Sequence, residues 1–271
     1  MTLERVHLGI STCPNDTFLF HGLLAREVDP CGFEFEIELA DVETLNERLL
    51  RGAFDAAKCS FAAALALTRD TLVLPVGAAL GRGVGPVVLA RDAEVLEARE
   101  VWAPGEHTTA TLLWRMFHGS SARLRHSVFS EIMPALERGD ARLGVCIHEG
   151  RFTYREHGLL LLEDLGERWE RETGTALPLG GIVARRALGP ERLARLIRAL
   201  RGSLDFARAH PQRALASMRR YAQEPRDEVL WKHVELYVTD ETRSLSGAGR
   251  RALAEFARRA GGATPLSIAA E

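Results

Sequence analysis

Between residues 6 and 147, short apolar runs alternate with runs of helical period, and this alternation most narrows what the chain can fold into. Residues 6–10 form a first apolar strand, and residues 33–39 keep a strict period of two, the pattern of a strand with one wet face. Asp41 then caps a helix reaching Leu50, with Gly52 as its stop. Ala56–Ser60 reads as a short strand running into the helical residues 61–67, and residues 71–76 and 86–90 are further strands. A new unit begins near Arg99, with a strand ending at Pro104-Gly105, a helix opened by residues 107–114, a helix at 131–138 and a buried strand at 141–147. From about Pro190 only amphipathic helices remain. Strands alternating with helices predict an α/β architecture with largely parallel sheets.

In such sheets ligands bind beyond the carboxyl ends of strands. The polar clusters of this chain fall at those ends: residues 11–16, Lys58-Cys59-Ser60, Thr108-Thr109 and His148. Four separate loops with polar residues at equivalent places predict a shared pocket. Taken locally, Cys13-Pro-Asn-Asp16 is also a proline turn into a helix capped by Asn15 or Asp16. His107-Thr-Thr109 follows Pro-Gly at a helix start, where free N–H groups and hydroxyls either cap the helix or hold a carboxylate or phosphate. Lys58 and Ser60 share one face of a strand end. Lys58 is one of only two lysines among 35 basic residues, and it reads either as the partner of an acidic ligand or as a surface side chain. His148 ends an apolar strand, a position suited to a general base and equally to a structural imidazole.

Other chemistries find no support. The four cysteines lack C-x-x-C spacing, and no H-x-x-x-H stands near a useful carboxylate, so no metal site is expected. Gly81-Arg-Gly-Val-Gly85 fits neither nucleotide fingerprint and reads as a flexible connection between domains, and no G-x-S-x-G elbow is present. With 27% charged residues and a net charge of -2, the chain offers no general attraction to nucleic acid or anionic lipid. No signal segment or bilayer-length apolar run is visible, so a cytoplasmic protein with free thiols is expected.

Ser11-Thr-Cys-Pro-Asn-Asp-Thr-Phe-Leu-Phe20 resembles the S-P-C-P-N-D-T-F signature of the 1,4-dihydroxy-6-naphthoate synthase family of the futalosine route to menaquinone, with Thr12 in place of a proline. Asp41-Val-Glu-Thr-Leu-Asn46, Gly81-Arg-Gly-Val-Gly-Pro86, Pro104-Gly-Glu-His-Thr-Thr-Ala110, Ile147-His-Glu-Gly-Arg-Phe-Thr-Tyr154 and Leu177-Pro-Leu-Gly180 are similar to its later motifs. Lys58-Cys-Ser-Phe61 departs slightly from the family's K-L-S-Y. The resemblance implies a two-lobed, periplasmic-binding-protein-like fold with an interdomain cleft. Residues 1–95 and 180–271 would form one discontinuous lobe, and residues 96–179 the other. It implies cyclic dehypoxanthine futalosine, a carboxylate-bearing small molecule, as substrate, without metal or organic cofactor, in a monomer or homodimer. His148 would be the base, with Asp16, Asn46, Lys58, Cys59, Ser60, Thr108 and Thr109 as ligand contacts. A ligand-binding or sensory module of the same fold and a chorismate-consuming sister enzyme are the rival expectations.

Overall fold

The computed structural model describes residues 3–93, 99–261 and 264–270. Its strands are β1 (Glu4–Ser11), β2 (Phe33–Ala40), β3 (Ala56–Ser60), β4 (Thr71–Val73), β5 (Ala79–Gly81), β6 (Val87–Ala90), β7 (Glu100–Ala103), β8 (Arg123–His126), β9 (Leu143–Cys146), β10 (Leu160–Asp164) and β11 (Leu177–Arg185). They make two sheets. The first runs β2-β1-β3-β11-β4, with β5 also on β11, and the second runs β10-β6-β9-β7-β8. This is the α/β, two-lobed arrangement, one sheet to each lobe.

Neither sheet is largely parallel. Among the strands of the described residues, only β1 with β2 and β3, and β7 with β8 and β9, pair in parallel. The return strand β11 is antiparallel to β3, β4 and β5, and β6 is antiparallel to β9 and β10. The reason is the double crossing. The chain leaves the first sheet after β5 and re-enters it after β10, and both sheets accept a strand running against their parallel part.

The proposed lobe boundary at residues 95–96 lies outside the described residues. The change of sheet comes earlier, since β6 hydrogen-bonds to β9 and β10 and belongs with the second sheet. The boundary at 180 falls within β11, all of which belongs to the first sheet.

Alternation along β1 turns Val6, Leu8 and Ile10 onto one face. There they join Phe18, Phe20, Leu196, Leu200 and Leu204 in a core beneath the C-terminal helices. The opposite face of the sheet packs Leu45, Phe54, Ala57 and Phe61 into a second core, which continues into the other lobe through Val101, Leu113 and Val145. Full burial of each of these Val, Leu, Ile and Phe side chains contributes about 1.5–3 kcal/mol.

The two crossings touch. A Cβ on Gly85 would stand 2.2 Å from the Gly166 backbone, so only glycine permits this approach. Arg151 bridges them, donating to the Gly85 carbonyl at 2.8 Å and to Asp164 at 2.7 Å. Gly83 N–H donates to Glu170 at 2.7 Å, and Arg82 donates to the Gly174 carbonyl at 2.7 Å. The Gly81–Gly85 stretch, expected to be a flexible connection, is therefore a crossing pinned to the helix Leu165–Thr173.

Candidate active site

Between the lobes lies a cavity of about 80 Å³. Ser11, Cys13, Asn15, Asp16, Lys58, Cys59 and Ser60 reach it from the first sheet, Thr108, Thr109 and His148 from the second, and His233 and Tyr237 from the C-terminal helix Asp227–Tyr237. The strand-end clusters thus converge as expected.

The first wall is polar and internally paired. Pro14 is the first residue of the helix Pro14–Leu19 and Cys13 is its N-cap, with no side-chain cap bond. The expected capping by Asn15 or Asp16 is not what these residues do. Both fall inside the helix and turn to the cavity wall. Asp16 accepts from Lys58 Nζ at 2.7 Å, from Ser11 Oγ at 2.5 Å and from Asn15 Nδ2 at 3.0 Å, all buried. Lys58 spends a second donor on the Gly77 carbonyl at 3.1 Å. Its charge is matched within the protein.

Ser60 and Cys59 lie where β3 meets β11. At Gly180 a Cβ would come 2.6 Å from the Cys59 carbonyl oxygen, so glycine lets β11 close this wall. Asn46 is not among the cavity-lining residues. Fully buried, it accepts from Ser60 N–H at 2.9 Å and donates towards Ser60 Oγ at 3.2 Å and Glu43 at 3.1 Å. It holds Ser60 in place from behind.

Thr108 caps the helix Thr109–His118 by accepting from Thr111 N–H at 3.2 Å. Thr109 Oγ1 donates to the Leu179 carbonyl at 2.6 Å, a bond from one lobe to the other. Both hydroxyls are engaged, so the free donors at this helix start are the backbone N–H groups of Thr109 and Ala110, which have no intrahelical partner. The helices beginning at Pro14, Phe61 and Thr109 all start at the cavity, and three positive helix ends favour an anion there.

His148 follows β9 with φ 57°, a left-handed conformation uncommon outside glycine, which histidine adopts more readily than most residues, as asparagine and aspartate do. The ring stands in the cleft, with Cys13 Sγ 3.4 Å from both ring nitrogens and Phe129 edge-on at 4.9 Å. Burial lowers its pKa to about 4; the Asp16 carboxylate opposes that shift and the Lys58 ammonium adds to it. At neutral pH the imidazole is unprotonated and able to accept a proton. Burial, reinforced by Glu149 and Asp16, keeps the Cys13 thiol protonated. Behind His148, burial raises Glu149 to about 7.

Sequence reasoning missed His233 and Tyr237. The signal was present in the buried stripe of Val229, Leu230, His233, Val234 and Tyr237, which sets an imidazole on the apolar face of a helix. Arg82 points to Gly174, away from the cavity. Among the described residues no group of three His, Cys, Asp or Glu side chains is placed to hold a metal ion, no helix is long and apolar enough to cross a membrane, and all four cysteines are free.

Solved structures share this architecture. That of protein AF1704 from Archaeoglobus fulgidus superposes with a TM-score of 0.90 at 28% identity, covering 95% of this chain and 97% of that one. The periplasmic aliphatic sulphonate binding protein SsuA from Escherichia coli gives 0.60 at 12% identity, covering 86% and 79%, and shares the fold alone. In sequence, the chain is 43% identical over 256 residues to a 1,4-dihydroxy-6-naphthoate synthase of Thermus thermophilus, covering 94% of this chain and 93% of that protein. It is 39% identical over 266 residues to the Streptomyces coelicolor protein of the same name, covering 96% and 94%. The menaquinone biosynthesis family matches residues 6–261. A neutral histidine in a cleft where three helices begin therefore sits in a chain that belongs to the menaquinone biosynthesis family, with a periplasmic-binding-protein-like fold.

Proposed function

We propose that this protein is a cytoplasmic 1,4-dihydroxy-6-naphthoate synthase, a lyase that converts cyclic dehypoxanthine futalosine into 1,4-dihydroxy-6-naphthoate. The observation that carries the proposal is the neutral His148 ring held at the same cavity as the helix start at Thr109. The N–H groups of Thr109 and Ala110, with Ser60 beside them, take the substrate carboxylate. His148 takes a proton from carbon next to a carbonyl, and the electron pair moves onto the carbonyl oxygen as an enolate. Helix N-termini stabilise that charge, and cleavage and aromatisation follow. Neither step calls for a metal or an organic cofactor.

The test is to incubate the pure protein with cyclic dehypoxanthine futalosine and follow the naphthoate chromophore, with and without exhaustive chelation. Formation of the chromophore in both arms is expected. Tight binding without turnover would make this a ligand-binding module, and consumption of chorismate would make it the sister enzyme.

The cleft must also move. Its volume of about 80 Å³ is well below the roughly 300–1,000 Å³ of sites for drug-sized ligands. The lobes have to part to admit a bicyclic molecule and then close around it, as hinged binding folds do. Solution scattering should give a larger radius of gyration for the free protein than for its complex with product. Superimposable profiles at saturating product would rule this motion out.

A further inference from the structure

His233 is buried, and among the described residues no hydrogen-bond partner meets its Nδ1. Its other nitrogen, Nε2, lies 2.9 Å from Asn15 Oδ1. Which of the two carries the proton follows from donors and acceptors alone. Lys58 can only donate, so Asp16 receives its bond as an acceptor. Asn15 must then turn its NH₂ group to Asp16, at 3.0 Å, and its oxygen to His233. An oxygen only accepts, so Nε2 is the N–H and Nδ1 carries a lone pair. The ring stays neutral as well, because burial beside His148 and Lys58 drives its pKa well below the usual histidine value.

A buried acceptor without a partner, in the wall of a ligand cavity, marks a place where the ligand supplies the donor. The Tyr237 ring is 4.4 Å away on the same helix. His148 and Phe152, at 6.1 and 6.3 Å, cover His233 from the other lobe. Parting of the lobes uncovers the nitrogen, and closure brings it beside the base.

We infer that His233 is a further substrate-contacting residue, whose Nδ1 accepts a hydrogen bond from a hydroxyl of the bound molecule at the reacting end, opposite the end held at Thr109 and Ala110. This inference rests on the proposed function, since the product named there carries two such hydroxyls. The series Lys58, Asp16, Asn15 fixes the tautomer and acts on that hydroxyl through His233.

The test uses the full chain with two probes, 1,4-dihydroxy-6-naphthoate and 2-naphthoate, which keeps the carboxylate and lacks both hydroxyls. His233→Gln retains a donor near Nε2 for Asn15 and has no acceptor at the place of Nδ1. His233→Asn does the reverse. His233→Gln should weaken binding of the dihydroxy probe roughly five- to tenfold and leave 2-naphthoate unchanged, while His233→Asn should keep most of the preference for hydroxyls. A purely structural histidine would show the opposite order, and that result overturns the inference. In wild-type protein the ¹⁵N resonance of His233 Nδ1 should shift on adding the dihydroxy probe and not on adding 2-naphthoate, a readout that needs no variant to fold. Equal shifts, or none, also overturn it. Wild-type protein that turns over substrate yet shows no such shift loses this contact and keeps its function, whereas protein that binds neither probe loses both.

Discussion

Replacing His148 with asparagine is expected to lower kcat by about 10²–10⁴, the usual cost of losing a general base, while product still binds. Asparagine is the informative choice for a backbone reason. His148 sits at φ 57°, and asparagine tolerates this region better than other residues with a side chain, glycine apart. An alanine would confound lost chemistry with added strain. The pH profile supplies a second check. Because burial lowers the His148 pKa to about 4, the enzyme with its lobes closed keeps the base unprotonated far below neutrality. For wild-type protein kcat, which reports the closed complex, should stay level from pH 7 to about 5 and fall by about tenfold per unit below 4, as protonation removes the acceptor. In His148→Asn this acidic limb should vanish. A limb near the ordinary histidine value would mean a ring open to water, and near wild-type kcat in the variant would pass the base role to another residue.

How much of this site was visible in the sequence depends on the range of each interaction. Lys58-Cys59-Ser60, Thr108-Thr109 and His148 could be placed because each ends a local element whose period or cap is written in neighbouring residues. Their convergence followed from a general property of α/β sheets. Direction of pairing did not follow. That β11 runs against β3 and β4, and that β6 joins the second sheet, depends on hydrogen bonds between segments as far apart as Ala56 and Ala184. Nothing within 87–90 records such partners. Asn46 was expected, from the family resemblance alone, as a ligand contact and not as the support behind Ser60, since a buried amide and a ligand-facing amide look alike in sequence. The left-handed backbone of His148 was equally hidden, because no glycine stands there to mark it. The same holds for Lys58, where sequence left open a choice between an acidic ligand and a surface position, and the fold supplied Asp16 instead.

That choice has a large energetic consequence. Lys58 Nζ and Asp16 Oδ1 are 2.7 Å apart, with both side chains buried. Removing one member of such a pair leaves an uncompensated charge in a low-dielectric interior and costs about 3–5 kcal/mol. Lys58→Met should therefore lower Tm by roughly 6–20 °C, taking about 2–4 °C per kcal/mol for a chain of this size. Asp16 would keep only Ser11 Oγ and Asn15 Nδ2 as donors, and neither offsets a full negative charge. The double variant Asp16→Asn with Lys58→Met should regain most of the loss, because a pair replaced by neutral groups no longer pays desolvation on either side. The measurement belongs on ligand-free protein. A lysine kept for an acidic ligand would be a burden there, and its removal would leave Tm unchanged or raise it. A lysine kept for Asp16 destabilises the free protein when it is removed, and with it goes the order that turns the Asn15 amide towards His233. A Lys58→Met protein melting within a degree or two of wild type would return Lys58 to the ligand and dissolve the internal pair as the frame of this wall.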